Sequence, residues 1–370
     1  MNGIYVHIPF CVKKCTYCDF VSYENRLCEA EDYVRALLCE METYRGVQAD
    51  TVYIGGGTPT AIPPHLLVRL LQGIKNSFVL APNTEITVEA NPGTCDAAFM
   101  TQLAEVGVNR VSLGAQSFVD AELATIGRIH TAAQIAEAVG AVRSAGISNI
   151  SLDLMFSLPG QTKESLRYSL DRLYALEPNH VSCYSLTLCE GTHLYEMVKA
   201  GKVMMAEDEE DRELYAMVCE HLKQNGYCRY EISNFARGGA VSRHNTKYWK
   251  RAPYIGLGVA AHSFYKNCRF ENPVGLSDYY RVVCGKEERP GESISWQDAM
   301  AEFMFLGLRM TEEGVLKQEF YKTFGKTVES IYGPSIAKLC EQGLLECVHD
   351  RLRLTDRGID VSNRVFCEFL

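Results

Sequence analysis

Short apolar runs alternate with amphipathic helical stretches over the first two-thirds of this 370-residue chain, and few folds accommodate that rhythm. Candidate strands fall at residues 3–7, 51–54, 85–89, 110–114, 149–154 and 180–186. Between them, apolar residues recur at the helical period. Tyr33, Leu37, Leu38 and Met41 mark a helix over 30–44; Leu66, Leu67, Leu70 and Leu71 mark one over 64–78. Ile135, Ala138, Val139 and Val142 mark a third over 132–145, and 164–176 supplies a fourth. Strands alternating with helices predict parallel β/α units. Six units rather than eight predict an α/β fold, an incomplete TIM-like (β/α)6 barrel over residues 1–225. In such sheets ligands gather at the C-terminal ends of the strands.

The pattern changes further on. The acidic run Glu207 to Asp211 opens a helix and reads as a solvated helix start, favoured by the helix dipole. A connecting segment spans 226–290, rich in Gly, Arg and aromatic residues. Helical stretches and a hairpin at 344–354 then predict a smaller α+β, winged-helix-like module over 291–370.

A net charge of −9 without a basic block argues against a nucleic-acid partner. No signal peptide is evident, and no run reaches the roughly 18 apolar residues of a membrane helix. Most of the fifteen cysteines are scattered through apolar segments, which fits reduced thiols in a cytoplasmic protein better than a disulfide framework.

Three cysteines stand apart. Cys11, Cys15 and Cys18 follow the first strand with the spacing C-x3-C-x2-C. Three thiolates in one loop can each take one iron of a cubane and leave the fourth iron open. A zinc site is the alternative, with His7 as its fourth ligand. Tyr17 completes the aromatic position of C-x3-C-x-aromatic-C, the radical S-adenosylmethionine (SAM) pattern, so a [4Fe–4S] cluster with SAM on its open iron is expected.

Other unusual residues also sit just after strands. Gly55-Gly56-Gly57-Thr58-Pro59-Thr60 reads as a tight turn or as a loop that lets backbone approach a ligand. Glu89, Gln116, Arg128 and Asp153 read as ligand-binding groups or as buried ion pairs.

Together, Tyr5-x-His7-Ile8-Pro9-Phe10-Cys11, the Gly55–Thr60 run, Glu89-Ala90-Asn91-Pro92, Leu113-Gly114-Ala115-Gln116-Ser117 and Leu158-Pro159-Gly160-Gln161-Thr162 resemble the anaerobic coproporphyrinogen III oxidase family. The resemblance covers essentially the whole chain. It implies two SAM sites, one at Tyr5, Gly56 and Glu89, the other at Tyr17, Gly57, Thr58, Gln116, Arg128 and Asp153. The oxidase branch carries a cysteine two positions beyond the third cluster ligand, where this chain has Phe20, and an extension ahead of the cluster, where this chain has ten residues. Both departures resemble the haem-chaperone branch, as does His244-Asn245-x-x-Tyr248-Trp249. That branch implies haem as a further cofactor. It also implies an acceptor haem protein as partner, for example a respiratory one at the membrane. His244 then reads either as a haem ligand or as a core histidine, with Trp249 filling a seam between domains. His262 could face haem or SAM, while His7, His130 and His180 read as structural. The rival function is radical decarboxylation of a porphyrinogen.

Overall fold

A computed structural model describes residues 1–285 and 289–370; the end of the 226–290 segment, at residues 286–288, lies outside the described residues. Six parallel strands form the predicted arc: β1 (Asn2–Ile8), β2 (Gln48–Gly56), β3 (Val79–Ala90), β4 (Arg110–Gln116), β5 (Asn149–Phe156) and β6 (His180–Ser185). Helices Ala30–Glu42, Pro64–Ser77, Ala132–Ser144 and Lys163–Ala175 stand where the periodicity puts them. A further helix, Ala97–Glu105, crosses from β3 to β4 and is capped by the Asp96 side chain on the Phe99 amide.

Both flanks of the arc are extended by the segment after residue 225. On one side the hairpin of β7 (Cys228–Glu231) and β8 (Asn234–Ala236) is added, with β8 antiparallel to β6 and β7 antiparallel to β8 at the edge. On the other, β9 (Tyr254–Leu257) joins β1 in parallel, a seventh parallel strand. Three antiparallel strands continue from it: β10 (His262–Tyr265), β11 (Cys268–Glu271) and β12 (Gly291–Ser293). The result is one open twelve-stranded sheet.

Strand alternation divides its residues cleanly. Ile4, Val6, Val52, Ile54, Val88, Val111, Leu113, Leu152 and Val181 pack outward with the helices in the main hydrophobic core. The opposite faces carry Tyr5, His7, Thr51, Tyr53, Glu85, Thr87, Glu89, Arg110, Ser112, Ser151, Asp153, His180 and Ser182. The interior of this barrel is therefore polar, unlike the branched aliphatic layers that fill most barrels of this architecture.

The seventh strand is anchored by a buried carboxylate. Glu40, on the helix Ala30–Glu42, accepts from the Gly258 amide (2.9 Å), Asn272 Nδ2 (2.9 Å), Tyr279 Oη (2.8 Å) and Arg289 Nη2 (2.6 Å). Its side chain is 1% exposed.

The acidic run departs from a purely solvated face. The helix Asp208–Gln224 begins as expected, but Asp211 accepts hydrogen bonds from Ser157 Oγ, just beyond β5, and Ser185 Oγ, at the end of β6. The C-terminal module has its own core, with Met304, Leu308, Phe320, Leu339, Leu352 and Val365 fully or almost fully buried. Its helices Trp296–Leu308, Lys317–Phe324 and Val328–Glu341 pack beside the hairpin Leu345–Val348 with Arg351–Leu354. Among the described residues no helix is long and apolar enough to cross a membrane.

Removing a buried, multiply paired carboxylate strands its donors and leaves Arg289 without its carboxylate partner. Glu40→Ala should cost about 3–5 kcal/mol, read as a lower urea midpoint. An unchanged midpoint would show that the seventh strand is held without it.

Candidate functional site

The cluster cysteines lie on the loop that leaves β1. That loop closes on itself: Phe10–Cys11 pairs in parallel with Tyr23–Glu24, and the Tyr23 amide donates to Pro9 O. His7 pins it from inside the barrel. Its Nε2 lies 2.8 Å from Val21 O and its Nδ1 lies 2.9 Å from Tyr5 Oη. The carbonyl can only accept, so Nε2 carries the proton and the Tyr5 hydroxyl donates to Nδ1. Burial lowers the His7 pKa and keeps this ring neutral.

The glycine run at the end of β2 lies against the cluster loop. Gly57 and Thr58 amides donate to Ile8 O and Phe10 O, each at 2.8 Å. A Cβ on Gly57 would lie 2.8 Å from Phe10 O and 3.0 Å from Cys11 Sγ, so only glycine fits. Gly56 has φ +113°, and a Cβ there would strike the His7 ring at 2.6 Å. Thr58 Oγ1 donates to Cys11 Sγ (3.6 Å) and accepts from Asn91 Nδ2 (2.9 Å). Arg128 reaches the same place, with Nη2 on Asn91 Oδ1 (2.6 Å) and Nη1 on Cys15 Sγ (3.6 Å).

A cavity of about 580 Å³ opens beside the three cysteines. Tyr17, Gly56, Gly57, Thr58, Glu89, Gln116, Arg128 and Asp153 all line it with Cys11, Cys15 and Cys18. Gln116 ends β4 with φ +64°, a left-handed conformation that turns the chain at the cavity wall, and its Oε1 accepts from Tyr184 Oη at 3.3 Å. Asp153 accepts from Ser112 Oγ at 3.0 Å; burial raises its pKa, against the Ser112 bond and the Arg110 charge.

Two of the expected site residues stand outside the cavity wall. Tyr5 is one layer behind, stacked on Tyr53 at 6.3 Å. His244 lies in the helix Arg243–Trp249 at the N-terminal end of the barrel and is 0% exposed. Its Nδ1 pairs with Thr51 Oγ1 and its Nε2 with Tyr248 Oη, both at 2.9 Å, and its ring stacks on Tyr53 at 5.3 Å. Burial, then the charges of Lys247 and Arg110, lower its pKa to about 3. Both nitrogens are committed, so in this conformation His244 has none to offer an iron. Trp249 packs under Arg309 of the C-terminal module, 4.3 Å from ring centroid to guanidinium. His262 is on the surface, 3.3 Å from Glu271.

Tyr53 is a wall residue that sequence reading passed over. Its hydroxyl donates to Glu89 Oε1 (2.7 Å), while the Gly56 amide donates to Glu89 Oε2 (3.2 Å). Its place two residues before Gly55, on the inward face of β2, was the available signal. Asn234 and Asn245 also line the cavity. Asn245 is the second residue of the His244 motif.

The three thiols suit a cubane. They share one loop, face one cavity, and have Thr58 and Arg128 donating to two of the sulfurs. Among the described residues no metal-ligating side chains converge on a single ion. A cubane asks for something else, three thiolates each on its own iron. Burial pushes the Cys11 and Cys18 thiols up, so ligation would release protons.

Cys15→Ala should abolish the cluster's visible absorption; full iron and sulfide content in that variant would defeat the assignment. Glu89 gives a pH test. Burial pushes its carboxyl from 4.5 up to about 7, against the Tyr53 bond. The folded protein thus holds this proton more tightly than the unfolded chain. The stability it contributes is full below pH 4.5 and is lost as pH rises through about 7. Glu89→Gln should flatten that slope in ligand-free protein, read as urea midpoints across the range. A slope equal to wild type would place its origin elsewhere.

The radical SAM superfamily profile matches residues 5–173, and that of the HemN C-terminal domain matches residues 294–361. Over its full length the chain is 36% identical to heme chaperone HemW of Lactococcus lactis subsp. lactis (strain IL1403), covering 97% of that protein. It is also 36% identical over its full length to heme chaperone HemW of Bacillus subtilis (strain 168), covering 99% of it. Coproporphyrinogen III oxidase (HemN) from Escherichia coli superposes with a TM-score of 0.86 over 100% of this chain and 89% of that one. At 21% identity that likeness speaks for the fold. Full-length identity to those relatives, with the cluster loop and cavity wall in place, means that the chain belongs to the HemW family of the radical SAM superfamily, whose members hold a [4Fe–4S] cluster and SAM.

Proposed function

We propose that this protein is a haem chaperone of the cytoplasm, which binds haem and passes it to an acceptor haem protein, a respiratory one at the membrane among the candidates. The observation that carries this reading is the full-length 36% identity to two heme chaperones. Phe20 supports it, because it stands 63% exposed where the oxidase resemblance calls for a cysteine.

In the barrel, Cys11, Cys15 and Cys18 would hold the cluster, whose open iron supplies reductive cleavage of the SAM sulfonium bond when both are bound. The surrounding residues bind and orient. Tyr17, Gly57, Thr58, Gln116, Arg128 and Asp153 form one group on the wall, and Gly56 with Glu89 forms another, backed by Tyr5. The glycine run lets main chain approach the ligand, while Tyr53 and the Gly56 amide hold the Glu89 carboxyl in place.

Haem ligation by His244 would require the helix Arg243–Trp249 to leave its seat and break the bonds to Thr51 and Tyr248. We therefore place the haem on residues other than His244 while that helix is seated.

An anaerobic haem titration of the cluster-loaded protein, read at the Soret band, tests the reading. The expected result is saturable one-to-one binding, no consumption of coproporphyrinogen, and a Soret position kept in His244→Ala. Absence of saturable binding, together with porphyrinogen turnover coupled to release of 5′-deoxyadenosine, would replace the chaperone by an oxidase.

A further inference from the structure

The helix Arg243–Trp249 is seated from several sides. The backbone amides of Arg243 and His244 donate to Glu85, and Lys247 pairs with Asp50 at 2.7 Å. The Tyr248 ring meets Tyr254 of β9 edge-on at 4.7 Å, and Arg309 of the C-terminal module covers Trp249. Gly3 of β1 lets the helix in, since a Cβ there would lie 3.1 Å from His244 Cε1. Seated in this way, the helix presents the His244 ring to the inward face of β2.

Thr51 and Tyr53 stand two residues apart on that face. The imidazole meets both. Its Nδ1 lies 2.9 Å from Thr51 Oγ1, and its ring packs on the Tyr53 ring with centroids 5.3 Å apart and planes at 29°. The Tyr53 hydroxyl in turn donates to Glu89 Oε1 at 2.7 Å, and the Gly56 amide donates to Oε2 at 3.2 Å. The carboxyl has little slack, because a Cβ on Gly55 would lie 2.8 Å from its carbon. Tyr53 and Glu89 both line the cavity beside the cluster cysteines, with His244 behind Tyr53. Every link from His244 to the cavity wall is thus a direct contact: imidazole on phenol ring, then phenol hydroxyl on carboxyl.

We propose that His244 is a positioning residue for the SAM wall, setting the Glu89 carboxyl through the Tyr53 ring. The neighbouring imidazole fixes the tilt of that phenol. Removing it leaves a void that packed surroundings fill only in part, and a phenol that leans into the void carries its hydroxyl away from Glu89. The carboxyl then has to be ordered when the ligand binds, at a cost in affinity. The motif histidine therefore acts on SAM from one layer away, with both of its nitrogens committed inside the protein. This inference rests on the assignment of Glu89 to SAM made above and not on haem binding.

Calorimetric titration of the cluster-loaded full chain with SAM tests it, the cluster being kept oxidised so that SAM is not cleaved. Tyr53→Phe keeps the ring and removes the donor, and should weaken SAM about tenfold, as loss of a hydrogen bond to a charged group does. His244→Asn keeps a partner for Thr51 and removes the ring. It should weaken SAM about fivefold in the wild-type background and less than about twofold beside Tyr53→Phe, because the two act through one path. His244→Phe keeps a ring and strands Thr51 and Tyr248; its thermal midpoint should fall, yet its SAM affinity should stay within about twofold of wild type. Affinity that follows the thermal midpoint across these variants would reduce His244 to a structural role. Equal losses for His244→Asn with and without Tyr53→Phe, or no loss in either, would likewise overturn the inference, and a weakened Glu89→Gln beside them would show that Glu89 keeps its place in the SAM wall. Unchanged SAM affinity in Glu89→Gln would instead remove Glu89 from that wall and take the inference with it.

Discussion

A barrel interior lined with charge and hydroxyls has to satisfy itself, and much of this molecule follows from that requirement. A buried carboxylate, guanidinium or imidazole is tolerated only with partners. Asp153 finds Ser112; Glu85 finds two backbone amides of the motif helix; His180 finds Ser151 and Tyr230. Arg110 is the exception. It is 1% exposed, and its Nε and Nη1 have no protein partner among the described residues. Its charge nevertheless favours the ionised forms of Glu89 and Asp153 on the cavity wall. An aliphatic interior would be more stable, but it would have nowhere to put a polar ligand.

The same requirement explains why the segment after residue 225 is folded into the sheet. Strands β7 and β8 bring Tyr230 to His180 and Asn234 to the cavity. The helix Arg243–Trp249 closes the N-terminal end, and β9 protects the edge of β1. The C-terminal module is fastened to this segment by polar contacts. Glu302 receives Arg251 and Arg269, each at 2.7 Å, and Arg309 reaches Glu231 at 3.3 Å while covering Trp249.

Legibility in the sequence followed the same division. The six parallel strands, their helices and the cluster loop were readable because each carries a local signal: a period, a glycine run, a cysteine spacing. The cavity wall was readable through the resemblance, and the structure brings eight of its expected residues to one cavity with the cysteines. What escaped depended on distant partners. Tyr254–Leu257 is a short, glycine-interrupted stretch, and only pairing with β1 makes it a parallel strand. Tyr53 looks like an ordinary strand tyrosine until Glu89 is seen against it. The His244 motif was open in the sequence between a haem ligand and a core histidine, because Thr51 and Tyr248, far apart in sequence, are the partners that take both ring nitrogens. Asp211 resembled its solvated neighbours, and two serines from other elements draw it inward.

The pairing of β1 with β9 has a consequence for how the molecule is made. Gly3 leaves the ribosome first but must wait for Tyr254 before that edge is closed. At about 5–20 residues per second, the delay is on the order of tens of seconds. Throughout that interval one edge of the nascent sheet is unpaired, and the cysteine loop at the end of β1 is tethered on one side only. The late strand thus acts as a clasp. It makes the unclasped chain the form exposed to edge-to-edge association.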